Sequence, residues 1–394
     1  MYDVIIVGAR CAGAATGMLL ARAGHRVLLV DRAMFPSDMR LSNHLLWPPG
    51  VAALKRWGLL DELIGTGCPP ITSGSMDLGP FRLTGGFLPT ADGVAEAYAP
   101  RRRVLDRILV EAATRAGADL WDGCAVDELI VDGRAVTGVR GRSGGRGVTG
   151  RGAVVVGADG MRSTVARLVD APTYLARPAR QGTYFSYWSG VPVSGSTLYS
   201  RPYRSVVAFP THDDLTVVSV SWPVDEFRAA RADIAGSYHR TIAEVAPELA
   251  ERLSGGRREE RWVGAAVPGR FRRPFGAGWA LVGDAGYLKD PCTAQGMTDA
   301  FQHAELLADA LDAGLRGECA LDDTLADYQR RRDAAVLPMY EFTCARAGLE
   351  PAPLQMQALL GALRDEPTAI ERFFGIFAGT VPVQEFFGPP AQAA

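Results

Sequence analysis

The sequence contains little lysine and little that would bind a metal ion. Of its 42 basic residues only Lys55 and Lys289 are lysine, and its five histidines form no ligand cluster with the six cysteines. The cysteines are widely scattered and include no CxxC pair. We therefore expect reduced thiols and no structural metal.

Charge imbalance, long apolar runs and targeting signals are also lacking. A formal net charge of -2 gives no electrostatic reason to expect nucleic acid or an anionic membrane as partner. No apolar run approaches the ~18 residues that a membrane-spanning helix needs. The first residues enter a strand at once, without the basic region and cleavage site of a signal peptide. We expect a cytoplasmic protein without a membrane span.

What the chain does contain begins with a strand, a tight turn, a helix and a second strand. YDVIIV at residues 2–7 precedes GARCAG, and the second strand ends at Asp31. Gly8 would permit the turn, Gly13 would permit a close backbone approach, and Asp31 would bond ribose hydroxyls, as in a dinucleotide-binding fingerprint. Arg10 replaces the middle glycine. The alternative is a βαβ unit that binds nothing.

Another buried strand, predicted at residues 153–156, ends in the sequence GADG. Asp159 therefore lies at the carboxyl end of a strand, where open α/β sheets bind their ligands. The alternative is that Asp159 caps the following helix. Both interpretations can hold together.

A third strand, at residues 280–282, delivers Gly283 and Asp284 into a loop with Pro291 and Gly296. Apolar residues recur at helical spacing from Thr298 onward, which predicts a helix with one buried face. The amides around the start of this helix would carry the positive end of its dipole. The pattern predicts a rim for a polar ligand on which negative charge develops.

Two basic segments could border an active site. Arg40, Ser42 and His44 lie in a loop broken by prolines, for which a plain surface loop is the alternative. The segment 101–118 predicts an amphipathic helix that opens with three arginines. An anion there would relieve the conflict with the helix dipole, although a solvated charged face would also explain the run.

From about residue 171 to 273 the pattern changes to alternating strands rich in aromatics, with a hairpin turn at His212. This sheet could roof an apolar pocket, although most of its aromatics should be core. Helices are predicted at 51–65, 321–335, 338–348 and 353–377, and residues 382–394 should pack loosely. The candidates for lining a substrate are Tyr184, Trp188, Phe209 and Trp222.

In this order, GARCAG with Asp31, GADGMRS and VGDAGYLKDPCTAQG resemble the motifs of the group A flavoprotein monooxygenases. These aromatic hydroxylases share the para-hydroxybenzoate-hydroxylase fold, within a wider family that includes geranylgeranyl reductases and flavin halogenases. The resemblance implies an α/β fold (α+β overall) with a Rossmann-like FAD-binding domain, an interleaved antiparallel β-sheet substrate domain and C-terminal helices. The implied domains are 1–68, 98–170 and 274–320 for FAD, 69–97 and 171–273 for substrate, and 321–394 for the helices.

The resemblance also implies the residues that hold the cofactor. Asp31 would meet the adenosine ribose, Asp159 belongs to a DG motif linked to FAD and NAD(P)H, and Asp284 would bond a ribityl hydroxyl. The remaining candidates are Gly8, Ala12 and Gly13 at the pyrophosphate; Arg102, in an R-x-x-L motif, at the phosphates or ribityl chain; a backbone group of Val126 at the adenine; Gly283 beside Asp284; Pro291, Gly296 and Met297 beside the isoalloxazine; and Arg10, Arg32 and Arg40.

The implied activity is that of an FAD-dependent monooxygenase. It would use NAD(P)H and dioxygen to hydroxylate or epoxidise an aromatic or polyketide-like small molecule through a flavin hydroperoxide. NAD(P)H would bind transiently, because no second fingerprint exists. Candidate catalytic residues are His44, His212 and Lys289. The oligomeric state stays open.

Two departures bear on the alternatives. Hydroxylases commonly carry histidine after the GD motif, where this chain has Tyr287 and then Lys289. The chain also lacks the W-x-W-x-I-P segment of flavin halogenases and the YxWxFP segment of geranylgeranyl reductases. An FAD-dependent reductase or dehydrogenase acting on a carbon–carbon double bond is the second hypothesis. A non-enzymatic flavin-binding protein is the third.

Overall fold

Strands and helices alternate at the start of the chain, strands dominate its middle, and helices follow. The computed structural model describes residues 1–387. The strands are β1 Tyr2–Val7, β2 Val27–Val30, β3 Pro70–Ile71, β4 Ser73–Asp77, β5 Arg82–Gly86, β6 Ala97–Tyr98, β7 Asp119–Trp121, β8 Cys124–Asp132, β9 Ala135–Ser143, β10 Arg146–Gly157, β11 Thr173–Arg177, β12 Gln181–Ser189, β13 Ser196–Arg201, β14 Arg204–Pro210, β15 Thr216–Pro223, β16 Arg257–Arg258, β17 Val263–Ala265, β18 Gly269–Arg272, β19 Phe275–Gly276, β20 Trp279–Leu281 and β21 Tyr287–Leu288. The helices are α1 Cys11–Arg22, α2 Pro48–Arg56, α3 Leu60–Ile64, α4 Arg102–Arg115, α5 Thr164–Leu168, α6 Val224–Ala229, α7 Ile234–Val245, α8 Pro247–Gly255, α9 Gly296–Leu315, α10 Leu321–Arg346, α11 Leu354–Ala362, α12 Pro367–Ala378 and α13 Val383–Phe387.

The first sheet is built on a parallel core in the order β20-β10-β1-β2-β7. One face of β1, which includes Val4 and Ile6, packs against α1, α4 and α9. The other face, which includes Ile5 and Val7, packs against the β8–β9 hairpin. Because both faces are covered, the central strands are continuous apolar runs, as parallel strands usually are. The Rossmann-like part of the predicted fold is confirmed.

The second sheet joins strands from two separate stretches of the chain. Its order is β16-β12-β15-β14-β13-β4-β5, with β17 paired to β12. All its pairings are antiparallel except that of β13 with β4. Helices α7 and α8 cover one face of this sheet, and α12 packs against β4 and β5 on the other. The interleaved, mostly antiparallel sheet is therefore also confirmed, whereas the domain boundaries stay a prediction.

The helix boundaries differ from the predicted ones where packing overrides propensity. Segments 321–335 and 338–348 form one helix, α10, which continues through Pro338. Val336 and Tyr340 are buried on either side of that proline, and this packing offsets the cost of about 3 kcal/mol of a proline inside a helix. The predicted helices 51–65 and 353–377 are each interrupted, at Trp57–Leu59 and at the turn Leu363–Asp365.

The end of the chain and the lengths of the helices complete the description. Residues 383–387 form α13, and the rest of the segment predicted to pack loosely, 388–394, lies outside the described residues. Within residues 1–387, no helix is both long and apolar enough to cross a membrane.

Candidate cofactor and substrate site

The turn after β1 has the geometry of a dinucleotide-binding turn. Gly8 has a φ of +101°, and a Cβ on Gly13 would lie 1.8 Å from the Gly8 carbonyl oxygen, so neither position accepts a side chain. No side chain of the described residues caps the start of α1. Its first-turn N–H groups are therefore left for a ligand, and a diphosphate suits them.

Asp31 holds this turn in place from the end of β2. Its carboxylate accepts hydrogen bonds from the backbone N–H groups of Ala9 and Ala33, each at 2.8 Å. Each oxygen keeps a lone pair for a further donor such as a ribose hydroxyl. Cys124 N donates to Asp31 O at 2.8 Å, which brings β8 and its residue Val126 to the same edge. Two predicted cofactor residues, Arg32 and Arg40, are exposed at the surface.

Arg10 and Arg102 converge on one buried carboxylate, that of Asp106. Arg10 Nη1 lies 2.7 Å and Arg102 Nη2 3.0 Å from its oxygens, and Cys11 Sγ lies 3.4 Å away. Asp106 is fully buried. Asp106 was not among the residues predicted from the sequence, although its position four residues after Arg102 on a helix is a signal for an ion pair.

Asp284 has no hydrogen-bond partner among residues 1–387. It follows Gly283, whose Cα lies so close to α1 that an added Cβ would be 2.9 Å from Ala12 Cβ. Burial raises the pKa of the Asp284 carboxyl to about 6, while the charges of Arg102 and Arg270 act to lower it. A partly buried, unpartnered carboxyl beside the dinucleotide turn suits the hydroxyl donors of a ribityl chain.

The loop after Asp284 ends in a second helix start without a side-chain cap. Pro291–Thr293 form a 3-10 turn, and α9 begins at Gly296, two residues before the predicted start. Gln295 donates to Phe377 O at 2.5 Å instead of capping the helix. Met297 is buried in the first turn. The open N–H groups leave the positive end of the dipole facing this loop.

These features together fit FAD. The uncapped start of α1 suits its diphosphate, and the unpartnered Asp284 suits its ribityl hydroxyls. The uncapped start of α9 suits the end of its ring system on which negative charge develops. None of these groups has another partner among the described residues that would explain its position.

Asp159 caps the helix that follows it. Its oxygens accept from Ser163 Oγ and Thr164 N, both at 2.5 Å, and from Val165 N at 3.3 Å. Burial raises the pKa of this carboxyl, and the hydrogen bonds act to lower it. The capping interpretation therefore describes the observed contacts, and the link to NAD(P)H stays a prediction.

The predicted substrate-lining aromatics lie on opposite faces of the second sheet. Tyr184, Trp188 and Trp222 pack beneath α7 and α8, and their role as lining residues stays a prediction. Phe209 lies on the other face with Phe185, in the cluster that contains Trp47. Alternation within one strand does not show which face of the sheet meets the cofactor.

His44 is buried and fully hydrogen-bonded. Its Nδ1 lies 3.0 Å from Ala99 O, which can only accept, so Nδ1 carries the proton and Nε2 accepts from Tyr187 Oη at 2.8 Å. Burial lowers the pKa of His44 well below its usual value, and the charge of Arg101 lowers it further. His44 is thus a neutral acceptor that orients Tyr187, and its assignment as a base stays a prediction.

His212 and Lys289 are also engaged elsewhere. His212 Nδ1 accepts from Arg101 N at 3.1 Å, and Nε2 donates to Thr66 Oγ1 at 2.8 Å, because the Thr66 hydroxyl donates to Leu63 O. Lys289 is buried in an ion pair with Asp299. Both side chains make structural contacts, and their assignment as catalytic groups stays a prediction.

Comparisons with known proteins agree with this geometry. A family model described as an FAD binding domain matches residues 1–343. The chain is 25% identical to 6-methylpretetramide 4-monooxygenase of Streptomyces rimosus, covering 80% of this chain and 76% of that protein. It is 30% identical to digeranylgeranylglycerophospholipid reductase 2 of Methanothermobacter thermautotrophicus, covering 79% of each.

Solved structures share the fold over nearly the whole chain. Pseudomonas aeruginosa PqsL, in complex with 2-aminobenzoylacetate, is 26% identical, with a TM-score of 0.76 over 96% of this chain and 99% of that one. The flavin-dependent brominase Bmp2 has a TM-score of 0.83 over 98% of this chain and 95% of that one, but at 19% identity it shows the fold alone. The chain belongs to this FAD-binding family and is an FAD-dependent oxidoreductase.

Proposed function

We propose that the protein is a monooxygenase that uses NAD(P)H and dioxygen to hydroxylate or epoxidise an aromatic or polyketide-like small molecule. The observation that carries the proposal is an apolar, aromatic wall formed by Trp47, Phe185, Tyr187 and Phe209. This wall is joined directly to the loop at residues 285–295, which we call the cofactor loop. Trp47 Nε1 donates to Thr293 O at 3.0 Å, and Trp47 belongs to the same cluster as Phe185 and Phe209. A planar apolar substrate would fit against such a wall.

Bound FAD supplies electron transfer from the nicotinamide and the activation of dioxygen. The protein's contribution is orientation, electrostatics and the exclusion of water. The N–H groups at the start of α9 would stabilise negative charge beside the cofactor loop. The surrounding aromatic side chains would keep that region dry, which strengthens each electrostatic interaction in it.

Tyr187 is the polar group of the wall that we assign to the substrate. Its hydroxyl donates to His44 Nε2 at 2.8 Å, so its lone pairs remain available to accept a hydrogen bond from a substrate hydroxyl. The Arg101 guanidinium lies 4.1 Å from the centre of the Tyr187 ring and holds the ring in position. In this assignment Tyr187 contacts the substrate, and His44 is a positioning residue.

The names of two relatives support a monooxygenase. One is a 6-methylpretetramide 4-monooxygenase, and the other, PqsL, is described as a probable FAD-dependent monooxygenase. The digeranylgeranylglycerophospholipid reductases, up to 30% identical in the comparisons above, favour the alternative that the chain reduces a carbon–carbon double bond. A non-enzymatic role is the third possibility.

The decisive experiment measures substrate-stimulated NADH and NADPH oxidation and dioxygen uptake by the purified holoenzyme over a panel of phenolic and polyketide compounds. We expect a product that gains one oxygen atom, labelled when ¹⁸O₂ is supplied. A product that gains two hydrogens without dioxygen uptake would establish the reductase instead. No oxidation of either nicotinamide with any compound would favour the non-enzymatic role.

A further inference from the structure

We propose that Arg10 binds the diphosphate of FAD, and that with Arg102 it forms a two-guanidinium clamp that the dinucleotide fingerprint does not contain. Arg10 occupies the position of the fingerprint's middle glycine. It also forms the N-cap of α1, directly beside the uncapped N–H groups. The proposal concerns cofactor binding and does not depend on which reaction the enzyme catalyses.

The backbone at residue 10 does not need glycine. Arg10 has φ −98° and ψ −161°, an extended conformation open to any residue, whereas Gly8 has φ +101°. The steric reason for glycine in this turn is thus confined to Gly8 and Gly13. Position 10 can therefore carry a side chain, and in this protein that side chain is positively charged.

The contacts of the Arg10 guanidinium leave a positive charge unbalanced. Arg10 and Arg102 both pair with Asp106, at 2.7 and 3.0 Å, and this carboxylate is fully buried. Two cations therefore share one anion. Asp284 also acts electrostatically on Arg102, but makes no hydrogen bond with it. A buried excess of positive charge is costly unless an anion completes the site, and a diphosphate at the start of α1 would complete it.

The second contact of Arg10 holds the loop beyond β2. Arg10 Nη2 donates to Ser37 Oγ at 2.8 Å, while the side-chain exposure of Arg10 is only 17%. The guanidinium is thereby fixed on two sides, by α4 and by this loop. A fixed, planar guanidinium loses little entropy when it binds a phosphate oxygen.

The test compares FAD release from holoenzyme variants by flavin fluorescence on dilution at 50 and 500 mM NaCl. We expect Arg10→Met to raise the Kd for FAD at least tenfold, and to weaken the dependence of the Kd on salt because one charge contact is lost. Arg10→Lys should be intermediate. Ser37→Ala, which removes the loop contact and keeps the charge, should stay within threefold of the natural protein. Arg26→Met, at an exposed arginine paired with Asp3, is the matched control.

Arg10→Gly separates the proposal from a purely structural role. This variant restores the fingerprint, yet we expect it to bind FAD at least tenfold more weakly. If it binds FAD as tightly as the natural protein or more tightly, or if thermal unfolding changes while the Kd for FAD does not, the proposal is wrong. Should Arg10→Met and Arg10→Gly fail to fold, Arg10→Gln against Arg10→Lys makes the same comparison, since glutamine can still bond Asp106 without a charge.

Discussion

The ammonium of Lys289 lies 2.6 Å from the carboxylate of Asp299, and both side chains are buried. Asp299 belongs to the first turn of α9. The ion pair neutralises an acid that would otherwise oppose an anionic ligand at the start of this helix. Lys289 thus affects the cofactor site through Asp299.

Replacing Lys289 by alanine should cost stability. The change leaves Asp299 buried without a partner, for which about 3 to 5 kcal/mol of the free energy of unfolding is typical. Chemical denaturation measures the loss, and the double variant Lys289→Met, Asp299→Leu should recover most of it. A Lys289→Ala protein of unchanged stability but altered flavin reactivity would support a direct role of Lys289 in the chemistry.

Asp284 should make the FAD-free protein less stable as the pH rises. Burial raises the pKa of this carboxyl from 3.8 to about 6, so the folded state binds the proton more tightly than the unfolded state. Its contribution is fully present below pH 3.8 and is lost as the pH rises through about 6.

Asp284→Asn should remove this dependence. At pH 7 the FAD-free variant should be more stable than the natural protein by about 1 to 3 kcal/mol, with no difference near pH 4. The same variant should bind FAD more weakly. Thermal unfolding across this pH range and an FAD titration test both statements, and an Asp284→Asn protein that is less stable at pH 7 would contradict the first.

Tyr187 and His44 should affect the use of hydroxylated substrates. Tyr187→Phe removes the acceptor that we assign to the substrate, so KM should rise about five- to tenfold for a substrate with a hydroxyl group and stay unchanged for its deoxy analogue. Steady-state kinetics on the two compounds measure the difference. Equal effects on both compounds would rule out the assignment.

The backbone conformation of His44 predicts different stabilities for its asparagine and alanine variants. His44 has a φ of +53°, a conformation that asparagine adopts more readily than alanine. His44→Asn should therefore be about 1 kcal/mol more stable than His44→Ala, while both lose the acceptor for Tyr187. If the two variants have the same free energy of unfolding, the positive φ at position 44 does not affect stability.

Three glycines should respond differently to alanine. At Gly8 a Cβ would lie 2.5 Å from Ala158 O, so Gly8→Ala should cost at least about 2 kcal/mol and abolish FAD binding. Gly147 and Gly296 have open space at this position, so both changes should stabilise the FAD-free protein by about 0.5 to 1 kcal/mol. Of these last two variants, only Gly296→Ala should weaken FAD binding, because we expect the flavin ring beside Gly296. Equal FAD affinity for the Gly147→Ala and Gly296→Ala variants would show that the flavin ring does not lie beside Gly296.

Substitutions on one face of the second sheet should affect catalysis, and substitutions on the other face should affect stability. Phe209→Leu alters the face that meets the cofactor loop, so it should change KM or product distribution. Trp222→Phe loses the hydrogen bond from Trp222 Nε1 to Thr241 Oγ1, 3.0 Å long, beneath α7, so it should cost about 1 to 2 kcal/mol of stability and leave KM unchanged. Kinetics and denaturation of both variants provide the test, and a reversed pattern would support Trp222 as a lining residue.

Local sequence motifs were enough to predict the fold class and the cofactor. Gly8, Gly13 and Asp31 act within one βαβ unit, and the loop containing Asp284 follows its strand directly. Such signals are local, because backbone sterics and strand ends fix the geometry within a few residues. The family and the FAD cofactor inferred from these motifs are confirmed by the matching FAD-binding family.

The partners of these groups depend on packing between segments that are far apart in the sequence. The pairing of β12, β14 and β15 places Tyr184 and Trp222 on the opposite face from Phe209, and the period of a single strand does not show this. Likewise, Arg10 meets Asp106, which lies 96 positions away in the sequence, and both nitrogens of His44 are engaged by residues from distant strands or loops. Packing between remote segments sets these contacts, and no local pattern encodes it.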